Sequence, residues 1–119
     1  MICITANDVT LESLVNPSFG RAPYFLFVDP ETLAVEAVEN VPGAHGAGVQ
    51  AAQTIANKGA RIVITGNVGP NAYHGLSAAG IEIYVGAQGT AKQALDDYRA
   101  GRLACTEAPT GQRHGGTRR

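Results

Sequence analysis

The stretch Val63–Leu76 reads V-I-T-G-N-V-G-P-N-A-Y-H-G-L, and its reading decides how the chain folds. A β-branched run gives way to a glycine-bearing turn, and Pro70 stands where a helix would begin. Proline suits the first helical turn because the N–H it lacks has no intrahelical partner there. The pattern predicts a strand over 61–65, a turn, and a helix over 70–79 stopped by Gly80. Such a loop is either a plain strand–helix connection or an anion site. Glycines allow close backbone approach, and a helix N-terminus carries unpaired N–H donors and partial positive charge. Neither G-x-x-x-x-G-K-[ST] nor G-x-G-x-x-G is present, so no nucleotide fingerprint supports the second reading.

Working outward, Ile81–Val85 is a second strand. Gly86–Gly89 is a loop, and Thr90 can cap a helix that runs to about Arg99 and is closed by Gly101. On the other side, Val49, Ala52, Ile55 and Ala56 recur at helical spacing, and Lys58-Gly59 supplies the stop. Further upstream, Ile2–Ala6 is a short apolar strand. Residues 7–20 hold the turn formers Asn7, Asp8, Asn16, Pro17 and Gly20 and form a long loop. Tyr24–Asp29 is aromatic and β-branched, and Leu33–Glu39 partly alternates. The two are close enough for an antiparallel hairpin. The order β, β, β, α, β, α, β, α predicts parallel pairing through right-handed crossovers beside an antiparallel hairpin, in a mixed α/β sheet covered by helices.

Composition narrows the functional classes. The 119 residues fit one domain, and 45% apolar content is that of a globular chain. No apolar run approaches the roughly 20 residues of a membrane span. The N-terminus M-I-C-I-T-A-N-D has no signal-peptide pattern, so a cytoplasmic location without a membrane partner is expected. A formal charge of −1 gives no electrostatic ground for a nucleic-acid partner. Arg113, Arg118 and Arg119 crowd the last residues, and the polar segment after Cys105 is expected to be disordered, leaving a domain over 1–104 and a tail over 105–119. Cys3 and Cys105 stand too far apart for a zinc motif or disulfide scaffold. Cys3 reads as a core hydrophobe and Cys105 as the better candidate for a reactive or metal-binding thiol.

Ligands of such sheets gather beyond the carboxyl ends of the parallel strands. Three loops are expected at that edge: 7–21, 65–70 and 86–90. In the second, Thr65, Gly66, Asn67 and Gly69 offer backbone donors. In the third, Gly86, Gly89 and Thr90 repeat the arrangement before another helix. Arg21, in S-F-G-R-A-P, is a cation suited to an anionic ligand or to a structural salt bridge. Phe19 reads as a core anchor. His45 and Gly46, in G-A-H-G-A-G, add a loop imidazole that is either solvated or a metal ligand. His74 reads as a solvated helix residue and His114 as part of the tail. Catalytic sets are scarce: Asp8 and Asp29 are the best pair of carboxylates, without the further acids a two-metal site demands. Ser13, Ser18 and Ser77 lack a nucleophile elbow. A binding protein rather than an enzyme is expected.

Three segments carry a family resemblance: S-F-G-R-A-P-Y-F-L-F-V-D, H-G-A-G-V-Q-A-A-Q and I-T-G-N-V-G-P-N-A-Y, followed by V-G-A-Q-G-T. Together, over residues 1 to about 104, they resemble the dinitrogenase iron–molybdenum cofactor biosynthesis family. The resemblance implies a ribonuclease H-like α/β fold with a five-stranded mixed sheet, helices on both faces and no nuclease activity. It also implies carriage of iron–molybdenum cofactor precursors or related metal–sulfur clusters, with a cofactor-assembly or acceptor protein as partner. Cluster-binding relatives use histidine or cysteine at the loop edge, and the matching position here is His45. Some relatives carry several histidines in that loop where this chain has one. The reading of the residues alone leaves an alternative: a module binding a small anionic ligand or a protein partner through its glycine-rich loops.

Overall fold

The computed structural model describes residues 1–40 and 47–107 of the chain. The strands are β1 (Ile2–Ala6), β2 (Tyr24–Val28), β3 (Val35–Glu39), β4 (Ile62–Ile64), β5 (Glu82–Val85) and β6 (Ala104–Cys105). The helices are α1 (Ala47–Asn57), α2 (Pro70–Ala78) and α3 (Ala91–Arg99). They build one mixed sheet in the order β3-β2-β1-β4-β5-β6. β1, β4 and β5 run parallel, whereas β2, β3 and β6 are antiparallel to their neighbours. This is the expected ribonuclease H-like arrangement with one strand more than the five predicted. The extra strand is β6, whose two residues pair as Tyr84↔Cys105 and Val85↔Ala104. The predicted tail boundary at 104 therefore falls inside a strand, and Thr106 N–H still donates to the Ile83 carbonyl at 2.8 Å. Residues 108–119 lie outside the described residues.

β1 is central and buried along its whole length, and its period of two divides the interior. Cys3 packs with Phe25, Phe27, Val63 and Ile83 against Ile55 of α1 and Leu76 of α2. Ile2, Ile4 and Ala6 pack with Leu26, Val28 and Ile64 on the opposite face, against Ala91, Ala94 and Leu95 of α3. Helices thus cover both faces, as a sheet whose central strands are apolar on both sides requires. The Val63–Leu76 stretch folds as read: β4, a turn, then α2 from Pro70. Each helix is followed by a glycine with positive φ, at Gly59, Gly80 and Gly101, where the chain reverses in a conformation that costs other residues more.

The β2–β3 connection is a tight turn. Asp29 Oδ1 accepts the N–H groups of Glu31 at 2.8 Å and Thr32 at 3.3 Å. These two bonds hold the Asp29 carboxyl below its ordinary range, because they favour the charged form. Val28 pairs with Ile2, so Asp29 sits at the end of the sheet opposite Asp8, which follows the far end of β1. The two carboxylates singled out in the sequence are not drawn together.

Candidate functional site

The carboxyl ends of β1, β4 and β5 are roofed by the long loop after β1, and backbone hydrogen bonds fix its path. Asn16 N–H donates to the Thr5 carbonyl at 3.0 Å, and Val15 N–H to the Gly89 carbonyl at 2.8 Å. Asn16 Oδ1 accepts Ser18 N–H at 2.8 Å, and its Nδ2 donates to Asn7 Oδ1 at 2.8 Å. Asn67 N–H then donates to the Pro17 carbonyl at 2.7 Å, and Phe19 N–H to the Asn67 carbonyl at 3.2 Å. Phe19 is buried and stacks on Phe25 with ring centroids 5.4 Å apart, the core anchor read from the sequence. The 7–21 loop is a strap that joins all three parallel strand ends.

This strap changes the chemistry of the α3 terminus. The Ala91 and Lys92 N–H groups donate to the carbonyls of Ser13 and Leu11, both at 2.8 Å, and Gln93 N–H donates to Thr90 Oγ1 at 3.0 Å. The first-turn donors of α3 are therefore consumed inside the protein. Gly86 and Gly89 have φ of 88° and 76°, so the turn itself requires them. A Cβ on Gly89 would also run into Gln93. The two glycine loops are adjacent, as expected: Gly86 N–H donates to the Gly66 carbonyl at 3.1 Å, and Ala87 N–H to the Thr65 carbonyl at 3.2 Å.

The α2 terminus is different. Gly69 is its N-cap and has no side chain to close it, and Pro70 brings no N–H. Tyr73 N–H donates to the Gly69 carbonyl at 2.9 Å, but the Asn71 and Ala72 N–H groups have no partner among the described residues. They belong to the wall of an open cleft of about 390 Å³, formed by Asn67, Gly69, Pro70, Asn71 and Ala72 on one side and Ser18, Gly20 and Arg21 on the other. Arg21 is exposed and forms no ion pair among the described residues. The salt-bridge reading of this residue is thereby set aside for the described part of the chain. Among the described residues, no carboxylate lines the cleft.

Of the residues singled out in the sequence, Arg21, Asn67 and Gly69 meet at this cleft, while Gly86, Gly89 and Thr90 do not line it. Thr65 is fully buried: its Oγ1 lies 2.9 Å from Thr5 Oγ1, which also donates to the Asn16 carbonyl at 2.8 Å. Its hydroxyl holds the strap and does not face the cleft. Gly66 is explained by the protein's own packing rather than by ligand approach, since a Cβ there would lie 2.7 Å from Pro17 Cα and 2.8 Å from its carbonyl oxygen. At Gly69 the same position is open space. His45 and Gly46 lie outside the described residues. Asn40, the last described residue before them, donates to the Ala22 carbonyl through Nδ2 at 2.8 Å and to the Pro23 carbonyl through N–H at 2.9 Å. That places it beside Arg21. His74 is exposed on α2, edge-on to Tyr73, and does not line the cleft.

Ser18, Gly20 and Asn71 were not singled out as ligand contacts, although each lies inside one of the motifs quoted above. Away from the cleft, Cys3 is buried and its thiol is pushed up by desolvation, whereas Cys105 is exposed on β6. Burial and then the Glu82 carboxylate push the Tyr84 phenol up to about 12. Among the described residues, no three His, Cys, Asp or Glu side chains come together to hold a metal ion. No helix there is long and apolar enough to cross a membrane.

The same architecture occurs in known proteins. The apo form of the orange protein from Desulfovibrio gigas is 39% identical and superposes with a TM-score of 0.86, over 92% of this chain and 94% of that one. A NifB-like protein from Thermotoga is 38% identical with a TM-score of 0.80, over 92% and 97% of the two chains. An uncharacterized protein of Methanocaldococcus jannaschii is 37% identical over 75 residues, which span 59% of this chain and 64% of that relative's length. Residues 1–101 match the family described as dinitrogenase iron–molybdenum cofactor, and the chain belongs to that nitrogen-fixation-related family.

Proposed function

We propose that the protein is a non-catalytic carrier of iron–molybdenum cofactor precursors or related metal–sulfur clusters, and that the cargo sits in the cleft between the strap and α2. The observation that carries this reading is the chemistry of the lining. Among the described residues, the lining holds Arg21 and the two α2 residues, Asn71 and Ala72, whose N–H groups have no described partner, and it holds no carboxylate. Yet the first 107 residues hold six Lys and Arg against ten Asp and Glu, so the cleft is a basic spot on an acidic body. A thiometallate or cluster is a bulky anion that brings its own sulfide ligands. Charge-assisted hydrogen bonds and a helix dipole can hold it without protein–metal bonds. That suits a chain whose described residues gather no metal-ligand set. His45 is the side chain through which a coordinate bond would be added. Family membership and the likeness to the orange protein support the same reading. The cleft is open, so an assembly or acceptor protein could exchange the cargo directly.

The test is an anaerobic titration with tetrathiomolybdate, followed by gel filtration to see whether the chromophore travels with the protein. Wild type should retain it, and Arg21→Ala should bind about tenfold more weakly, the loss of one charge-assisted contact. A wild-type protein that retains no chromophore refutes the reading. Equal binding by His45→Ala removes that residue from the site. Because free N–H donors at a helix start accept any compact anion, inorganic phosphate is the competitor to include. Displacement by phosphate at equal concentration favours the alternative of a small anionic ligand.

A further inference from the structure

We propose that Asn16, which does not line the cleft, is a positioning residue that holds Arg21 across the cleft from the first turn of α2. The inference rests on the cleft being the cargo site. Arg21 is exposed and forms no ion pair among the described residues, so its placement comes from the backbone that carries it. That backbone is the turn from Ser18 to Arg21, closed by Arg21 N–H donating to the Ser18 carbonyl at 3.3 Å. Phe19 and Ala22 are buried. Asn40 holds the next two carbonyls, Ala22 through Nδ2 at 2.8 Å and Pro23 through N–H at 2.9 Å. The turn is thus fastened at its middle and on its downstream side. Its entry is the Ser18 N–H, and Asn16 Oδ1 accepts that group at 2.8 Å, a side-chain turn of the kind asparagine favours.

Asn16 can direct the turn because it is itself immobilised. Its N–H donates to the Thr5 carbonyl at 3.0 Å, and its carbonyl accepts Thr5 Oγ1 at 2.8 Å. Its Nδ2 donates to Asn7 Oδ1 at 2.8 Å. Both backbone groups and both ends of the carboxamide are therefore engaged, and they tie the turn to the end of β1. Ser18 lines the cleft and bridges to Asn67. A swing of the Pro17–Ser18 peptide would move Ser18 and Arg21 together relative to Asn71 and Ala72. The rival role is support of the strap as a whole. The two roles differ in what Arg21 means to the outcome. A residue that acts through Arg21 loses its influence once Arg21 is gone, whereas general support costs the same with or without it.

The experiment is an anaerobic tetrathiomolybdate titration of wild type, Asn16→Ala, Arg21→Ala and the double variant, with thermal melts alongside. Asn16→Ala should bind about fivefold more weakly, inside the roughly tenfold loss expected of Arg21→Ala. In the Arg21→Ala background the same change should alter affinity by less than about twofold. Asn16→Ser loses the Asn7 bond but keeps an oxygen for the Ser18 N–H, and it should recover most of the affinity. Asn16→Gln sets the oxygen one methylene out of register and replaces the alanine variant should that one not fold. Equal binding by wild type and the Ala or Gln variant, with Arg21→Ala still impaired, overturns the positioning role and leaves the cleft standing. A loss that persists undiminished in the Arg21→Ala background overturns it as well. A wild type that binds no tetrathiomolybdate overturns both readings.

Discussion

Replacing Gly66 with alanine should pull the strap away from the β4–α2 turn, and the geometry sets the size of the effect. Gly66 does not need left-handed backbone, so its requirement is spatial. The added Cβ would stand 2.7 Å from Pro17 Cα and 2.8 Å from Pro17 O, both backbone atoms that cannot swing aside as a side chain would. Forcing a methyl into packed structure costs about 1–3 kcal/mol. Relief by separation stretches the Asn67–Pro17 bond of 2.7 Å and the Phe19–Asn67 bond of 3.2 Å, at about 1 kcal/mol each. Less the roughly 1 kcal/mol gained by restricting the unfolded chain, the combined loss is about 2–4 kcal/mol, which for a domain of this size lowers Tm by roughly 10–25 °C. Gly69→Ala is the matched control, because nothing lies within 4 Å of its Cβ position. The lost cap preference and the gained backbone restriction nearly offset, leaving stability within about 1 kcal/mol. Circular-dichroism melts give both values, and hydrogen exchange at the Asn67 and Phe19 amides locates the damage. A Gly66→Ala protein melting within about 2 °C of wild type would refute the close contact with Pro17.

Two further expectations follow from ionisable groups. The Asp29 carboxyl is held low by the Glu31 and Thr32 N–H groups, so its contribution is present above the unfolded-state value and is lost as pH falls through the folded-state one. Thermal melts from pH 6 down to 2 should therefore fall less steeply below about pH 4 in Asp29→Asn than in wild type, and identical profiles would contradict this. The cysteines should separate by accessibility: Cys105 reacts with a thiol reagent in the native protein, and Cys3, buried and shifted upward, reacts only on unfolding. A native protein in which Cys3 is labelled as fast as Cys105 would mean that β1 is not the sheet's buried centre.

The parts of the fold written in side-chain periodicity were legible in the sequence. Val63–Leu76 announces strand, turn and helix because β-branched residues, glycines and a helix-starting proline follow one another. The Tyr24–Glu39 hairpin is readable for the same reason. β6 was not, since Ala104 and Cys105 pair only because β5 leaves an edge beside them, and two residues carry no period. The strap was visible as turn formers, but its function as a fastener rests on backbone groups, which have no sequence signature. Only Asn16, which bonds the Ser18 N–H two residues on, hinted at a fixed turn. The same blindness applies to glycine. Gly66, Gly69 and Gly89 look alike in the sequence, yet one makes room for Pro17, one borders open cleft, and one serves a left-handed turn. Thr90 was correctly placed as a cap, but that the strap's carbonyls also consume the next two donors of α3 depends on a contact across the fold.

The two rims of the sheet have a consequence for how this protein can meet others. One rim is β3, where Glu36 and Glu39 are exposed and Glu36 is paired with Lys58 at 2.6 Å. The other is β6, only two residues long. Charged and very short outer strands discourage another chain from adding itself to a sheet. Self-association into extended β-structure is thereby disfavoured at both of these described edges.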